Sequence, residues 1–148
     1  PLFRYILQKT SNHHQAEDLL QNTFVTVFRK LDKYNPVYPF SSWIYTIANR
    51  LTINHYRAKK PTGQEHEFAI HETPRSKMIA HEKSLGLWAK ARQILPETQF
   101  TALWLYYAEE LRVVQVAGIM CKSVNSVKVC LHRSRKKLAV ELSDEFTP

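Results

Sequence analysis

Glycine is scarce in this 148-residue chain, three in all, while apolar residues recur at 3.6-residue intervals over long stretches. That combination predicts an all-α protein. Prolines and polar clusters cut the pattern into pieces. Residues 2–10 read as the tail of a helix already inside its apolar period. With no opening Met, the expectation is that the native N-terminus lies upstream and this helix is cut short. Residues 11–14 form a polar connection in which Ser11 and Asn12 suit a turn or cap. Residues 16–33 read as an amphipathic helix with Leu20, Phe24, Val27, Phe28 and Leu31 toward the core. Asp18, Gln21, Asn22, Val25 and Arg29 then form the exposed stripe. Pro36 and Pro39 make residues 32–39 a loop, because each removes a backbone donor and biases its predecessor to extended geometry. A helix over 40–58 follows, with Ser41 or Ser42 as its expected cap.

From 59 to 75 the periodicity collapses into polar residues with two prolines and a glycine, the composition of a linker. Helices resume over 77–94 and 97–108, with Pro96 expected at a first helical position and Glu97 favouring the positive end. Two more are predicted over 113–120 and 124–142. The architecture expected is two small helical domains, residues 1–60 and 77–148, joined by a polar linker at 61–76.

Charge narrows the choice of partner. The formal net charge is +8 and the isoelectric point about 9.6, which favours a polyanion. Residues 1–60 carry nine Lys and Arg against three acids, and residues 81–148 carry ten against seven. Residues 61–80 carry two against three, so two basic blocks flank a mildly acidic connection.

Each block has a chemistry to match. In the segment FSSWIYTIANRLTINHYR, residues 40–57, there is no acid. Ile44, Ile47, Ala48, Leu51 and His55 are expected to face a core. Trp43, Thr46, Arg50, Ile53 and Arg57 form a second stripe with Asn49 beside it. A ring to stack on, hydroxyl and amide groups, and guanidinium groups for phosphates suit unpaired bases. The alternative for this helix alone is a core tryptophan beside a solvated basic surface. In the second block, residues 113–138 have the spacing of a helix-turn-helix. Val113, Val116, Ala117 and Met120 form the apolar side of a short helix, Cys121 and Lys122 turn the chain, and Ser123 suits the N-cap of the next helix. Val127, Leu131, Ser134 and Leu138 are spaced to face inward, leaving Asn125, Lys128, Val129, His132, Arg133 and Lys136 outside. Between Cys121 and Leu138 stand six Lys or Arg and no acid. Such a one-sided basic helix is suited to a major groove, phosphates supplying affinity and side chains near its start reading base edges.

Taken together, these segments resemble bacterial sigma factors of the extracytoplasmic-function (ECF) group over nearly the whole chain. Residues 16–24, AEDLLQNTF, are similar to the AEDLxQExF motif of the family's conserved region two. The resemblance implies docking of Asp18, Gln21, Asn22, Val25 and Arg29 on the β′ clamp helices of core RNA polymerase. WIYTIA at 43–48, continuing to NHYR at 54–57, resembles the segment that melts and reads the minus-ten promoter element. The residues implied there are Tyr38, Phe40, Trp43, Thr46, Asn49, Arg50, Ile53 and Arg57. LPE at 95–97 and LHRSR at 131–135 resemble signatures of region four, which meets the β flap and reads the minus-thirty-five element. Asn125, Ser126, Lys128, Val129, His132, Arg133 and Lys136 are the implied DNA contacts there. The extra middle domain of larger housekeeping sigma factors has no counterpart, which selects the ECF group. The resemblance also implies an anti-sigma partner. The chain departs from the family at several places. The usual Asn after IAx falls on Arg50, with Asn49 one position earlier. Asn22 stands for a common glutamate, Cys121 for the turn glycine, Asn125 for another glycine, and Cys130 for an arginine of the recognition helix.

Other functions find little support in the residues. Cys121 and Cys130 make no C-x-x-C pair, and the seven histidines include no pair at tight helical ligand spacing, so neither a disulfide framework nor a metal centre is expected. No Ser/His/Asp set, glycine-rich phosphate loop or paired carboxylates stand out; an enzyme and a cofactor are not expected. Trp104, Tyr106 and Tyr107 read as core. No signal segment or long apolar run appears, giving a cytoplasmic location as the default. A second reading stays open from the residues: a stand-alone helix-turn-helix regulator whose N-terminal half dimerises or senses a ligand.

Overall fold

The computed structural model describes residues 1–59 and 79–146, and for 79–85 and 144–146 the helical backbone alone. Among the described residues there are seven α-helices and no strand: α1 (Leu2–Thr10), α2 (His13–Arg29), α3 (Phe40–Lys59), α4 (Ile79–Ile94), α5 (Glu97–Tyr107), α6 (Val113–Met120) and α7 (Val124–Phe146). A 3-10 turn, Leu31–Lys33, follows α2. The chain divides into two compact units, one built on α1, α2 and α3, the other on α4, α5, α7 and most of α6. The expected linker at 61–76 lies outside the described residues. No single described helix is long and apolar enough to cross a membrane.

In the first unit, α1 stops at Ser11, whose left-handed backbone (φ 51°) lets its N–H donate to Leu7 O at 2.8 Å. Asn12 then caps α2, its Oδ1 accepting from Gln15 N at 3.0 Å. That cap starts α2 at His13, three residues before the expected start. The core side of α2 also differs from expectation. Ala16, Leu19, Thr23 and Val27 are buried, whereas Phe24, Phe28 and Leu31 stand exposed at 51, 81 and 50 %. Small residues set this register: Ala16 and Thr23 let α1 and α3 approach closely, and the Thr23 hydroxyl donates to Leu19 O at 2.6 Å, so its burial leaves no orphan donor.

Helix α3 begins at Phe40, ahead of both Ser41 and Ser42, so neither occupies the cap position. Its buried stripe runs Tyr45, Ala48, Asn49, Thr52, with Ile47 at its edge. Ile44, Leu51 and His55, expected in the core, are half-buried. The stripe is displaced because α1 offers polar and aromatic partners. The Tyr5 and Tyr45 rings pack edge to face at 5.3 Å, and the Tyr5 hydroxyl donates to Asn49 Oδ1 at 3.0 Å.

In the second unit, Trp88, Phe100 and Trp104 form an aromatic core, with ring centroids 4.7 Å apart between the two tryptophans. Trp104 is buried and its indole N–H donates to Glu109 Oε1 at 3.0 Å, confirming a structural role. Tyr106 is half-buried and Tyr107, expected in the core, is exposed. Pro96 sits one position before α5, at its cap, and Glu97 opens the helix and pairs with Arg92. The Arg92 guanidinium also lies over the Phe100 ring at 5.0 Å. On α7 the inward stripe is Val127, Leu131, Ser134 and Leu138, as the spacing predicts, and the helix continues to Phe146.

The half-buried His55 ring on α3 titrates below the ordinary imidazole value of 6.5, chiefly because burial disfavours its cation, then because of Lys59 one turn on; Asp18 opposes both. The unfolded chain therefore takes up this proton first as pH falls below 6.5, and folding stability drops from there down to the depressed folded value. Thermal unfolding followed at pH 7 and pH 5.5 should show a lower midpoint at pH 5.5, with a smaller loss in His55→Phe.

Candidate nucleic-acid interfaces

The first unit exposes one long side of α2. Asp18, Gln21, Asn22 and Arg29 are exposed there, and Val25 is 47 % exposed. The five residues inferred from the sequence thus share an accessible surface. The sequence reading missed its apolar centre: Phe24, Phe28 and Leu31, assigned to the core, stand beside Val25 and line an open groove that ends at Phe40. The available signal was Thr23, a residue whose hydroxyl can satisfy itself within a helix and so occupy a core position. An apolar centre with a polar and charged rim has the composition of a protein-docking surface.

The adjoining loop and α3 build an aromatic corner. Asn35 starts the turn, its Oδ1 accepting from Val37 N at 3.0 Å while its carbonyl accepts from Tyr38 N at 3.1 Å. The Tyr34 hydroxyl donates to Tyr38 O at 2.7 Å, closing the loop on itself. The Tyr34 ring packs against Phe40 at 5.2 Å and Trp43 at 5.1 Å, and Phe40 lies 5.7 Å from Trp43. Tyr34 was absent from the inferred set, although it holds this corner together. Tyr38 and Phe40 are exposed and Trp43 is half-buried, so the cluster keeps open ring faces beside the helix.

Along α3, Arg50, Ile53 and Arg57 are exposed. Thr46 is half-buried, and its hydroxyl is engaged by Ser42 O at 2.8 Å. Asn49 departs from the exposed stripe. It is 4 % exposed, and its Oδ1 accepts from both Tyr5 Oη and Lys9 Nζ, each at 3.0 Å. Its Nδ2 donates to Ile119 O at 3.2 Å, whereas Arg50 is exposed with Nη2 3.6 Å from Cys121 Sγ, so the structure separates the two side chains.

The turn between α6 and α7 is a Schellman motif. Cys121 is left-handed (φ 52°), Lys122 N donates to Ala117 O at 3.0 Å, and Cys121 N donates to Gly118 O at 3.3 Å. Ser123 is the N-cap of α7, with Oγ accepting from Ser126 N at 3.1 Å. Ser126 Oγ meets Ser123 Oγ at 2.9 Å, so this inferred contact residue is also part of the cap. Asn125, Lys128, Val129, His132, Arg133 and Lys136 are all exposed. The basic residues of α7 sort into two sets. Arg135 Nε donates to Leu131 O of its own helix at 3.2 Å and its Nη1 reaches Tyr107 Oη at 3.5 Å, while Lys137 Nζ donates to Ile94 O at 2.7 Å, tying both to the body of the second unit. Lys128, Arg133 and Lys136 remain on the outer face. Ser134 Oγ donates to Cys130 O at 2.7 Å and reaches Gln99 O at 3.3 Å, which seats α7 on the end of α5. No group of three or more metal-ligating side chains converges among the described residues.

Comparison with known proteins follows the same division. Residues 1–62 match the family model Sigma-70 region 2, and residues 89–138 match Sigma-70, region 4. The ECF RNA polymerase sigma factor SigW of Bacillus subtilis is 28 % identical over an alignment covering 97 % of this chain and 83 % of SigW. SigM of the same organism, also an ECF RNA polymerase sigma factor, is 29 % identical over 93 % of this chain and 85 % of its own. Among solved structures, the sigma factor RpoE in complex with the anti-sigma factor NepR from Bartonella quintana shares the fold. Its TM-score is 0.77 at 22 % identity, over 96 % of this chain and 89 % of that one. CnrH, solved with the cytosolic domain of CnrY, has a TM-score of 0.70 at 20 % identity over 99 and 82 % of the two chains.

Two predictions come from α7 and its turn. Cys121→Gly removes a Cβ from a left-handed position and should raise stability by about 0.5–1 kcal/mol, read by chemical denaturation. Lys128→Ala should weaken duplex binding and lower the slope of log affinity against log salt by about one unit, measured by titration at several salt concentrations.

Proposed function

The chain belongs to the extracytoplasmic-function group of sigma-70 factors, and from that premise we propose how its surfaces divide the work. A sigma factor is a dissociable subunit that directs core RNA polymerase to specific promoters and starts DNA melting. Its relatives are regulatory DNA-binding subunits rather than enzymes. Family membership sets aside the stand-alone regulator, which would have no use for a polymerase-docking face.

The observation that carries this proposal is the exposed side of α2. Phe24, Val25 and Phe28 lie between Asp18, Gln21, Asn22 and Arg29, an apolar centre in a charged rim on a helix whose other side is fully packed. This side docks on the β′ clamp helices. Residues 1–60 then act as the region that binds polymerase and opens the minus-ten element, and residues 77–148 as the region that reads minus thirty-five, beside the β flap. Docking aligns α3 with the non-template strand. Tyr38, Phe40 and Trp43 receive unstacked bases, while Arg50, Ile53 and Arg57 line the strand's path. Extruding a base costs a few kcal/mol, which ring stacking and phosphate contacts offset. Asn125, Lys128, Val129, His132, Arg133 and Lys136 face the upstream duplex, with Ser126 at the helix start.

The RpoE and CnrH structures contain anti-sigma partners. We extend this to the present chain: an anti-sigma protein covers the α2 face and holds the factor inactive in the cytoplasm, where polymerase works.

The proposal is tested by adding the full chain to sigma-free core polymerase. Promoter-specific transcripts and permanganate-reactive thymines at minus ten are expected. Phe28→Glu should abolish core binding, and Arg50→Ala should lower open-complex formation roughly tenfold while core binding stays intact. A Phe28→Glu chain that still binds core at wild-type affinity would remove α2 from the docking surface.

A further inference from the structure

The buried neighbours of Arg50 explain why the Asn–Arg order of this chain departs from the family pattern. Asn49 is 4 % exposed and Lys9 on α1 is also 4 % exposed. Lys9 Nζ donates to Asn49 Oδ1 at 3.0 Å and lies 5.5 Å from the centre of the Tyr5 ring. The Tyr5 hydroxyl, itself on a fully buried side chain, donates to the same oxygen at 3.0 Å. Two turns further along α3, the Tyr56 hydroxyl donates to the backbone carbonyl of Lys9 at 2.7 Å. Lys9 is thereby held to α3 through both its side chain and its backbone.

This seam constrains two positions at once. Position 49 meets an ammonium group and a phenolic donor at its Oδ1 and the Ile119 carbonyl at its Nδ2, 3.2 Å away, so it suits a neutral amide, and a cation there would stand beside the Lys9 ammonium. The next residue on the helix, Arg50, is turned 100° away and is exposed. We propose that Lys9 and Asn49 are a positioning pair for promoter reading: the hydrogen bond between them fixes the rotation of α3 that presents Arg50 to the minus-ten strand, and Lys9 determines that the residues at 49 and 50 stand in this order. The inference rests on Arg50 reading minus-ten DNA, as proposed above. Neither Lys9 nor Asn49 touches DNA in it. They act through the orientation of α3.

The order follows from charge. Exchanging the residues, Asn49→Arg with Arg50→Asn, would drive a guanidinium into the seam beside the Lys9 ammonium, where low solvent access strengthens repulsion. Lys9→Glu in the same chain would convert that clash into an ion pair. A merely structural role for Asn49 would change stability and leave base preference untouched, whereas a positioning role changes preference.

The experiment uses reconstituted holoenzyme and a promoter set in which each minus-ten base pair is replaced in turn, reading transcription as a discrimination ratio at each position. Core affinity and thermal midpoint are measured in parallel. Asn49→Leu, which removes the acceptor, should lower the ratio at the position sensed by Arg50 about fivefold or more, with core affinity unchanged. Asn49→Asp, which keeps the acceptor for Lys9 and Tyr5 but loses the donor to Ile119 O, should retain more discrimination than Asn49→Leu. If Asn49→Leu does not fold, Lys9→Met supplies the same test, since it keeps an apolar stem and the Tyr5 bond to Asn49. The exchanged pair should show a lowered thermal midpoint that Lys9→Glu restores. Wild-type discrimination in Asn49→Leu or Lys9→Met, or no recovery with Lys9→Glu, overturns the inference, provided Arg50→Ala loses discrimination. An Arg50→Ala chain that discriminates normally would instead overturn the reading of Arg50 on which it rests.

Discussion

A helix that presents rings and guanidinium groups to a partner on one side must be held firmly on the other. In the first unit that hold is polar as well as apolar. Tyr5 and Lys9 converge on a single amide oxygen of Asn49, and Tyr56 returns a hydrogen bond to the Lys9 carbonyl. Buried polar bonds of this kind are directional, and leaving one partner unsatisfied in the seam is costly. They select one rotation of α3 where apolar packing alone tolerates several. The exposed order Arg50, Ile53, Arg57 follows from that choice, and so does the position of the aromatic corner that Tyr34 builds against Phe40 and the half-buried Trp43.

The second unit solves the same problem by shape and capping. A left-handed residue ends α6, a serine cap starts α7, and Val127, Leu131, Ser134 and Leu138 seat the helix on α5. Two basic side chains, Arg135 and Lys137, hydrogen-bond to carbonyls of their own unit, which sorts the positive charge into structural and outward sets. The net charge of the segment therefore overstates the charge available to a phosphate backbone.

Much of this was legible in the chain itself. Scarce glycine and sustained helical periodicity reported the all-α class, and α6 occupies the predicted residues. Helix α7 was legible in detail because its inner face is a regular i, i+4, i+7, i+11 series bounded by a capping serine. The first unit was less transparent, for two physical reasons. Thr23 and Thr52 are polar in name but buried, since each hydroxyl bonds a carbonyl of its own helix. A pattern based on apolar residues therefore rotated α2, placing Phe24 and Phe28 inside when they are exposed. Asn49 was misplaced for the opposite reason: a local pattern cannot anticipate a partner on α1 forty residues away. Its neighbour Arg50 was placed correctly: it is exposed, with the Cys121 thiol beside its guanidinium.

The self-bonded hydroxyls carry a consequence for how such a chain tolerates sequence change. Thr23, Thr52 and Ser134 each donate to the carbonyl four residues earlier, at 2.6 to 2.7 Å, so none depends on a neighbouring helix to satisfy its hydroxyl. Exchange of these residues for alanine, cysteine or valine removes donor and need together, leaving the rest of the bundle free to drift one position at a time. Asn49 has no such independence. Its amide oxygen is shared with two side chains of α1 and its nitrogen is bound to Ile119 O, so substitution there must move in step with those partners. Within one chain, then, some buried polar sites can diverge alone while one is bound to change only in company.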